Sequence, residues 1–253
     1  PATGQSVWTW LMSTLPPALI SGNRIIGGRN CPFGSRPYQV ALLRYGRVAC
    51  GGSLIAPKWV LTAAHCGRRG ISSLQVYLGV HNLRVKELTE QIRRIRNVFV
   101  HPGYNRRPLD NDFMLLELDA PAQLNNYVNT INLATRCPSP GTRCVVSGWG
   151  TIRSPQTIMQ CADLYSVSQA RCQDIYRGRI TENMFCAGVE QGGISTCKGD
   201  SGGPLVCNGK LQGVVSWGKS ICARPGQPRV YANVCKAVQW VRSTIRSRLA
   251  RSD

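Results

Sequence analysis

Apolar residues fall in short runs along this chain, not in long amphipathic waves. Tyr38 to Leu43, Leu74 to Gly79, Phe113 to Leu118, Leu211 to Trp217 and Arg229 to Val234 are each six or seven residues long, the length of a strand. Glycine (26) and proline (15) punctuate them throughout, and short strands between such turn signals predict an all-β barrel or sandwich. Only the tail carries helical spacing: Val238, Val241, Ile245 and Leu249 line one face, leaving Lys236, Arg242, Arg246 and Arg248 toward water. The stretch from Asp119 to Gly141, rich in Pro, Asn and Thr, is the natural connection between two halves. There is no internal repeat or low-complexity tract. Residues 1–24 read differently. Val7 to Met12 and Ala18 to Ile20 are largely apolar, but Pro16-Pro17 interrupts them, so the segment is too short and broken for a transmembrane span. A signal remnant and an N-terminal pro-segment both fit it.

Composition narrows the setting. Twelve cysteines in 253 residues suit an oxidising compartment, with a fully paired disulfide framework. Zinc is the rival use of cysteine, and it is disfavoured because CxxC pairs and His-x-His spacings are absent. The 31 Lys and Arg against 12 Asp and Glu give a net charge of +19, with clusters at Arg68-Arg69, Arg93-Arg94-Arg96, Arg106-Arg107 and the tail. Such a field gathers polyanions. Outside a cell these are sulfated glycosaminoglycans or bacterial envelopes sooner than nucleic acid, and a merely solvated basic surface is the plain alternative. No Asn-x-Ser/Thr sequon occurs, so N-glycosylation is not expected.

The chemistry concentrates in three places. Cys197-Lys198-Gly199-Asp200-Ser201-Gly202-Gly203-Pro204 sets a serine among glycines, directly after an acid. Serine is inert at neutral pH unless a base takes its proton, and that base must be held in one tautomer by an acid. Thr62-Ala63-Ala64-His65-Cys66 supplies a histidine, while the other two, His81 before Asn and His101 before Pro, stand in turn-like settings. Asp112 precedes the apolar run Phe113-Met114-Leu115-Leu116, where a strand enters a core and an acid can be buried against an imidazole. Glycines at 199, 202 and 203 free the main chain around Ser201, so that the amides of Gly199 and Ser201 can converge on one oxygen as an oxyanion hole.

These three motifs in this order, with Val146-Ser147-Gly148-Trp149-Gly150 and Val215-Ser216-Trp217-Gly218, resemble the chymotrypsin/trypsin family from Ile25 to about Arg246. Ser139-Pro140-Gly141-Thr142 and Gly150-Thr151-Ile152-Arg153-Ser154-Pro155 are most like its tissue-kallikrein-related branch, although the Trp149–Cys161 segment is shorter. The resemblance implies two six-stranded Greek-key barrels, residues 25–135 and 136–253 with the C-terminal helix, and a cleft between them. It implies disulfides 31 with 161, 50 with 66, 137 with 235, 144 with 207, 172 with 186, and 197 with 222. It assigns His65, Asp112 and Ser201 as base, orienting acid and nucleophile of a secreted, monomeric serine endopeptidase, released directly or from storage granules. No cofactor is implied. The calcium loop of relatives begins Leu-Gly-Glu. Here it reads Leu78-Gly79-Val80, so with only Glu87 and Glu90 left, weak calcium binding or none is expected.

Arg24-Ile25-Ile26-Gly27-Gly28 resembles the family's activation site. Cutting after Arg24 frees an ammonium on Ile25, which is expected to bury against Asp200 and order the oxyanion loop. The primary pocket departs from trypsin-like members. The aspartate at its base is Ser195, followed by Thr196, and the Pro-Gly-Val-Tyr wall reads Pro228-Arg229-Val230-Tyr231. A wall arginine suits a carboxylate and resembles the granzyme B type of pocket, which takes Asp before the scissile bond. Lys198 and Lys219 add to the positive field, and Ser216, Trp217 and Gly218 are expected to pair with the substrate backbone as an added strand. Three readings stay open: cleavage after Asp or Glu, chymotrypsin-like cleavage after apolar residues with Arg229 turned aside, and a blocked pocket. An acid-selecting enzyme cannot cut efficiently after Arg24, so a trypsin-like activator is an expected partner, beside protein substrates and serine protease inhibitors. A cationic glycosaminoglycan-binding or antimicrobial protein on a protease scaffold is the reading from another class.

Overall fold

The computed structural model describes residues 25–150, 157–197 and 199–250. Its strands are β1 (Arg29–Asn30), β2 (Gln39–Arg44), β3 (Arg47–Ala56), β4 (Trp59–Thr62), β5 (Leu74–Leu78), β6 (Gln91–Arg93), β7 (Ile95–Val100), β8 (Met114–Leu118), β9 (Arg143–Gly148), β10 (Gln160–Ser166), β11 (Met184–Gly188), β12 (Pro204–Cys207), β13 (Lys210–Trp217) and β14 (Arg229–Asn233). Helices α1 (Gln169–Ile175) and α2 (Val234–Leu249) complete the set, with a 3-10 turn at Ala64–Arg69. The five runs of the hydrophobic pattern become β2, β5, β8, β13 and β14.

The strands form two antiparallel sheets. In one, β10-β11-β14-β13-β12-β9 closes on itself because β10 also pairs with β9. This is a six-stranded barrel, to which β1 adds itself beside β10. The other runs β6-β5-β2-β3-β4-β8-β7. Its two edge strands are consecutive in the chain with Arg94 alone between them, so the sheet curls until one bent strand serves both edges. Curling or closing a sheet removes free edges that would otherwise pair with other chains. All six disulfides form as the resemblance implied, among them a strand-to-strand link between β9 and β12 and a link from α1 to β11.

Helix α2 belongs to the second half in sequence and packs against both halves. Val234, Ala237, Val238 and Val241 are buried in one apolar cluster with Leu54, Trp59 and Leu115 of the curled sheet, Phe113 just before β8, and Leu211, Val214 and Ala232 of the barrel, each contributing about 1.5–3 kcal/mol for a side chain of valine size or larger. The expected stripe is corrected at its end. Ile245 only lies against this cluster, and Leu249 is 61% exposed. Arg248, expected in water, folds back: its Nε donates to Glu117 at 3.2 Å, and its guanidinium stands over the Phe99 ring.

Candidate active site

Three chain segments from both halves meet between the sheets. His65 rides on the 3-10 turn directly after β4, and Asp112 lies just before β8, which pairs with β4 through Thr62↔Met114. Strand register therefore places the two residues side by side. Asp112 is wholly buried. Its Oδ1 accepts the His65 main-chain N–H at 2.9 Å, and its Oδ2 stands 2.7 Å from His65 Nδ1. Ser216, at the end of β13, donates its hydroxyl to the same Oδ2 at 2.5 Å. Three donors thus meet the buried Asp112 carboxyl, and the contact at Nδ1 orients the imidazole so that Nε2 faces away from Asp112.

Ser201 reaches this site through its main chain. Gly51 N–H donates to the Ser201 carbonyl at 2.8 Å, and the Thr62 hydroxyl donates to the Gly51 carbonyl at 2.8 Å. Beside Gly51, Cys50 is cross-linked to Cys66, the neighbour of His65. Gly202 makes the approach possible. Its φ is +78°, and a Cβ there would sit 2.2 Å from Thr62 Oγ1 and 2.6 Å from the Gly51 carbonyl, so a side chain would drive the serine turn away from the curled sheet. Among the described residues no hydrogen bond joins the Ser201 hydroxyl to His65, a separation commonly closed by substrate. The amides of Gly199 and Ser201 likewise donate to no described acceptor.

Asp200 is buried. It accepts N–H groups from Gly150 at 2.8 Å and Cys197 at 2.9 Å. Burial pushes its carboxyl up to about 7, opposed by those two bonds and by the field of Arg229. Ile25 is also fully buried, and Ile26 forms a bridge with Ser195 through N–H···O bonds of 3.0 and 3.2 Å. Arg24 and Lys198 lie outside the described residues.

Ser195 is buried and donates its hydroxyl to the Thr196 carbonyl at 3.0 Å. Arg229 begins β14. Its guanidinium lies against Gly218, where an added Cβ would meet Cζ and Nη1 at 2.7 Å, and Nη1 donates to the Lys219 carbonyl at 2.9 Å. Arg229 Nε and Trp217 Nε1 are buried without a partner. Their field couples: Arg229 is felt by Tyr176, Tyr231 and Asp200 alike. Trp217 is expected in the specificity pocket and as a backbone partner of substrate. The sequence signal for Tyr176, whose ring meets Trp217 edge-on at 4.9 Å, was absent, since it sits in a polar loop. In the loop compared with calcium sites, Glu87 accepts the amides of His81 at 2.6 Å and Asn82 at 3.1 Å.

Comparison with known proteins agrees with this geometry. The family model described as Trypsin matches residues 25–241. Human Kallikrein-14 is 50% identical over 232 residues, covering 89% of this chain and 86% of that protein. Trypsin-3 of Salmo salar is 50% identical over 230 residues, covering 89% and 94%. Human Kallikrein-15 is 45% identical over 256 residues, covering 94% and 99%. A match across nearly the whole chain, at such identity, means that this protein belongs to the trypsin family and is a serine endopeptidase.

Proposed function

We propose that this protein is a secreted endopeptidase, made as a precursor cut after Arg24, that hydrolyses peptide bonds following Asp or Glu. Ser201 Oγ attacks the scissile carbonyl carbon as His65 Nε2 takes its proton. Asp112 holds the imidazole in the required tautomer and balances the imidazolium. The amides of Gly199 and Ser201 receive the developing oxyanion. His65 then returns the proton to the leaving amine, and water repeats the sequence on the acyl-enzyme. The mechanism is the general one for this triad, whose template is a member of the same family.

Arg229 carries the choice of substrate. It stands on the pocket wall with Nε buried and unpartnered, and Ser195 leaves no acid at the base to oppose it. A substrate carboxylate supplies the missing acceptor, whereas a substrate Lys or Arg brings a like charge into a desolvated site. The bond to the Lys219 carbonyl fixes the guanidinium beside Gly218, against an apolar preference that would need it turned away. Precursor activation is supported by Asp200, a buried carboxyl with two amide partners and no ion pair among the described residues. An ammonium on buried Ile25 is the cation that this carboxyl lacks.

Activation with trypsin, followed by profiling on peptides randomised at the residue before the cut, tests the reading. Preference for Asp or Glu that vanishes in Arg229→Gly supports it. Cleavage after Tyr, Phe or Leu overturns the acid preference. An activated protein with no turnover and no covalent labelling of Ser201 is instead the charge-driven binding protein.

A further inference from the structure

Basic residues scattered from position 68 to position 219 converge on one cleft. A cavity of about 580 Å³ opens beside Trp217 and Leu109 and is lined by Arg68, Arg106, Arg107 and Arg179. A second, of about 310 Å³, shares Arg179, Trp217 and Gly218 with it and adds Arg177 and Lys219. Together they make one trough with six cationic side chains on its walls. None of the six forms an ion pair among the described residues. The acids nearest in sequence are engaged elsewhere: Asp110 accepts from Thr181 and Asn183, and Asp112 from His65 and Ser216. Arg179 instead stacks over the Trp217 ring at 5.0 Å, and Arg68 reaches only the Tyr104 hydroxyl at 3.4 Å.

The trough is attached to the chemistry on three sides. Arg68 follows His65 on the same 3-10 turn, Arg106 to Leu109 precede Asp112, and Trp217 follows Ser216. One main-chain edge also borders it. β13 pairs with β14 as far as Trp217 but with β12 only as far back as Val214, so its last residues present an edge to the trough. A peptide laid along that edge toward Ser201 runs its preceding side chains past the arginines.

We propose that this trough is an anion-selecting subsite for the two to four substrate residues that precede the scissile residue, taking carboxylate, sulfate or phosphate side chains. Guanidinium forks match those groups geometrically, and like-signed walls raise the local concentration of anions. Exposed charges are screened over about 8 Å at physiological salt, so the selection is salt-dependent. The proposal rests on the protease assignment, and it is independent of which residue Arg229 selects.

The test uses trypsin-activated full-length protein and peptides that share one scissile residue, whichever the library profile favours. They carry Glu or Gln at the second to fourth positions before the cut, and kcat/KM is measured at low and high salt. The Glu series is expected to exceed the Gln series by about tenfold, mainly through KM. The gap should shrink at high salt and close in the triple variant Arg106→Gln, Arg107→Gln, Arg179→Gln, with melting temperature as the control for folding. Equal cleavage of the two series by the unaltered protein overturns the proposal, as does a gap that survives the triple variant. Loss of heparin retention without any change in peptide preference also overturns it, making the arginines a polysaccharide surface. Fluorescence anisotropy of the same peptides on activated Ser201→Ala gives the comparison without turnover. An apolar library profile with the Glu preference intact removes the acid-specific pocket and leaves the trough standing.

Discussion

Asp112 and Arg229 are two charged groups at the end of β13, one bonded to Ser216 and one against Gly218, and the fold treats them in opposite ways. Asp112 is sealed from water and met by three donors from His65 and Ser216. Arg229 buries its Nε with no acceptor and satisfies one nitrogen with a carbonyl. Removing a charge from water is costly unless the site repays it with partners. At Asp112 the repayment is internal, so the carboxylate is a fixed part of the machinery. At Arg229 it is incomplete, and on the proposed reading the missing acceptor is a substrate carboxylate. On that reading, a charge that works on every substrate is finished by the fold, and a charge that chooses among substrates is left unfinished.

The finished side is broken most severely at the residue it serves. Ser201→Ala removes the nucleophile while leaving Asp112 and His65 paired, and should lower kcat by a factor on the order of 10⁶, the scale seen when such a triad loses its serine. Steady-state kinetics with an active-site titration checks it. A loss of less than a hundredfold would mean that another group does the chemistry.

Asp200 is an intermediate case, which on the proposed reading gains its cation only when the chain is cut after Arg24. In the unfolded chain its carboxyl titrates near 3.8, and in the uncut fold at about 7. Between those values the folded protein holds a proton that the unfolded one has released, so stability falls as pH rises from about 4 to about 7 and stays low above it. The difference amounts to about 4 kcal/mol. Melting temperature against pH, measured on uncut protein with Ser201→Ala to stop digestion, should show this decline relative to Asp200→Asn. Cutting after Arg24 should reverse its sign, because an ammonium beside the carboxyl favours the anion.

At the unfinished side, Arg229→Gly should cost one hundred- to one thousandfold in kcat/KM on substrates with Asp before the cut, the scale of losing one member of a desolvated charge pair. Substrates with apolar residues there should be unaffected or improved. If the acidic substrates lose no more than the apolar ones, Arg229 is a wall and not a selector.

Much of this was legible in the residues, and the exceptions have physical reasons. Three motifs named His65, Asp112 and Ser201, and the twelve cysteines carried their pairing through the family resemblance. Helix α1 escaped because only Cys172 of its seven residues is buried, too little for a periodic signal. Strand β3 escaped because Gly51-Gly52 interrupts its apolar run, where the main chain must pass close to Gly203. Arg68, Arg106, Arg107 and Arg179 read as scattered surface charge, since their convergence on Trp217 exists only after the 3-10 turn, the loop before β8 and the loop after α1 have folded together.

The smallest effect probes how complete the finished side has to be. Ser216→Ala deletes one of the three donors to Asp112 and leaves both His65 bonds in place. A hydrogen bond to a charged acceptor is worth about 1.5–3 kcal/mol, but the lost donor leaves a carboxylate still held by two others, so the expected cost is at the lower end. kcat/KM should fall about tenfold, through kcat more than KM, because the group that weakens orients His65 and touches no substrate. Ser216→Thr, which keeps a hydroxyl, should recover part of that loss. If Ser216→Ala matches the parent in both constants, two donors suffice for Asp112, and the contrast with Arg229 is then one of degree, set by how few partners a buried charge can accept before it needs a substrate to supply another.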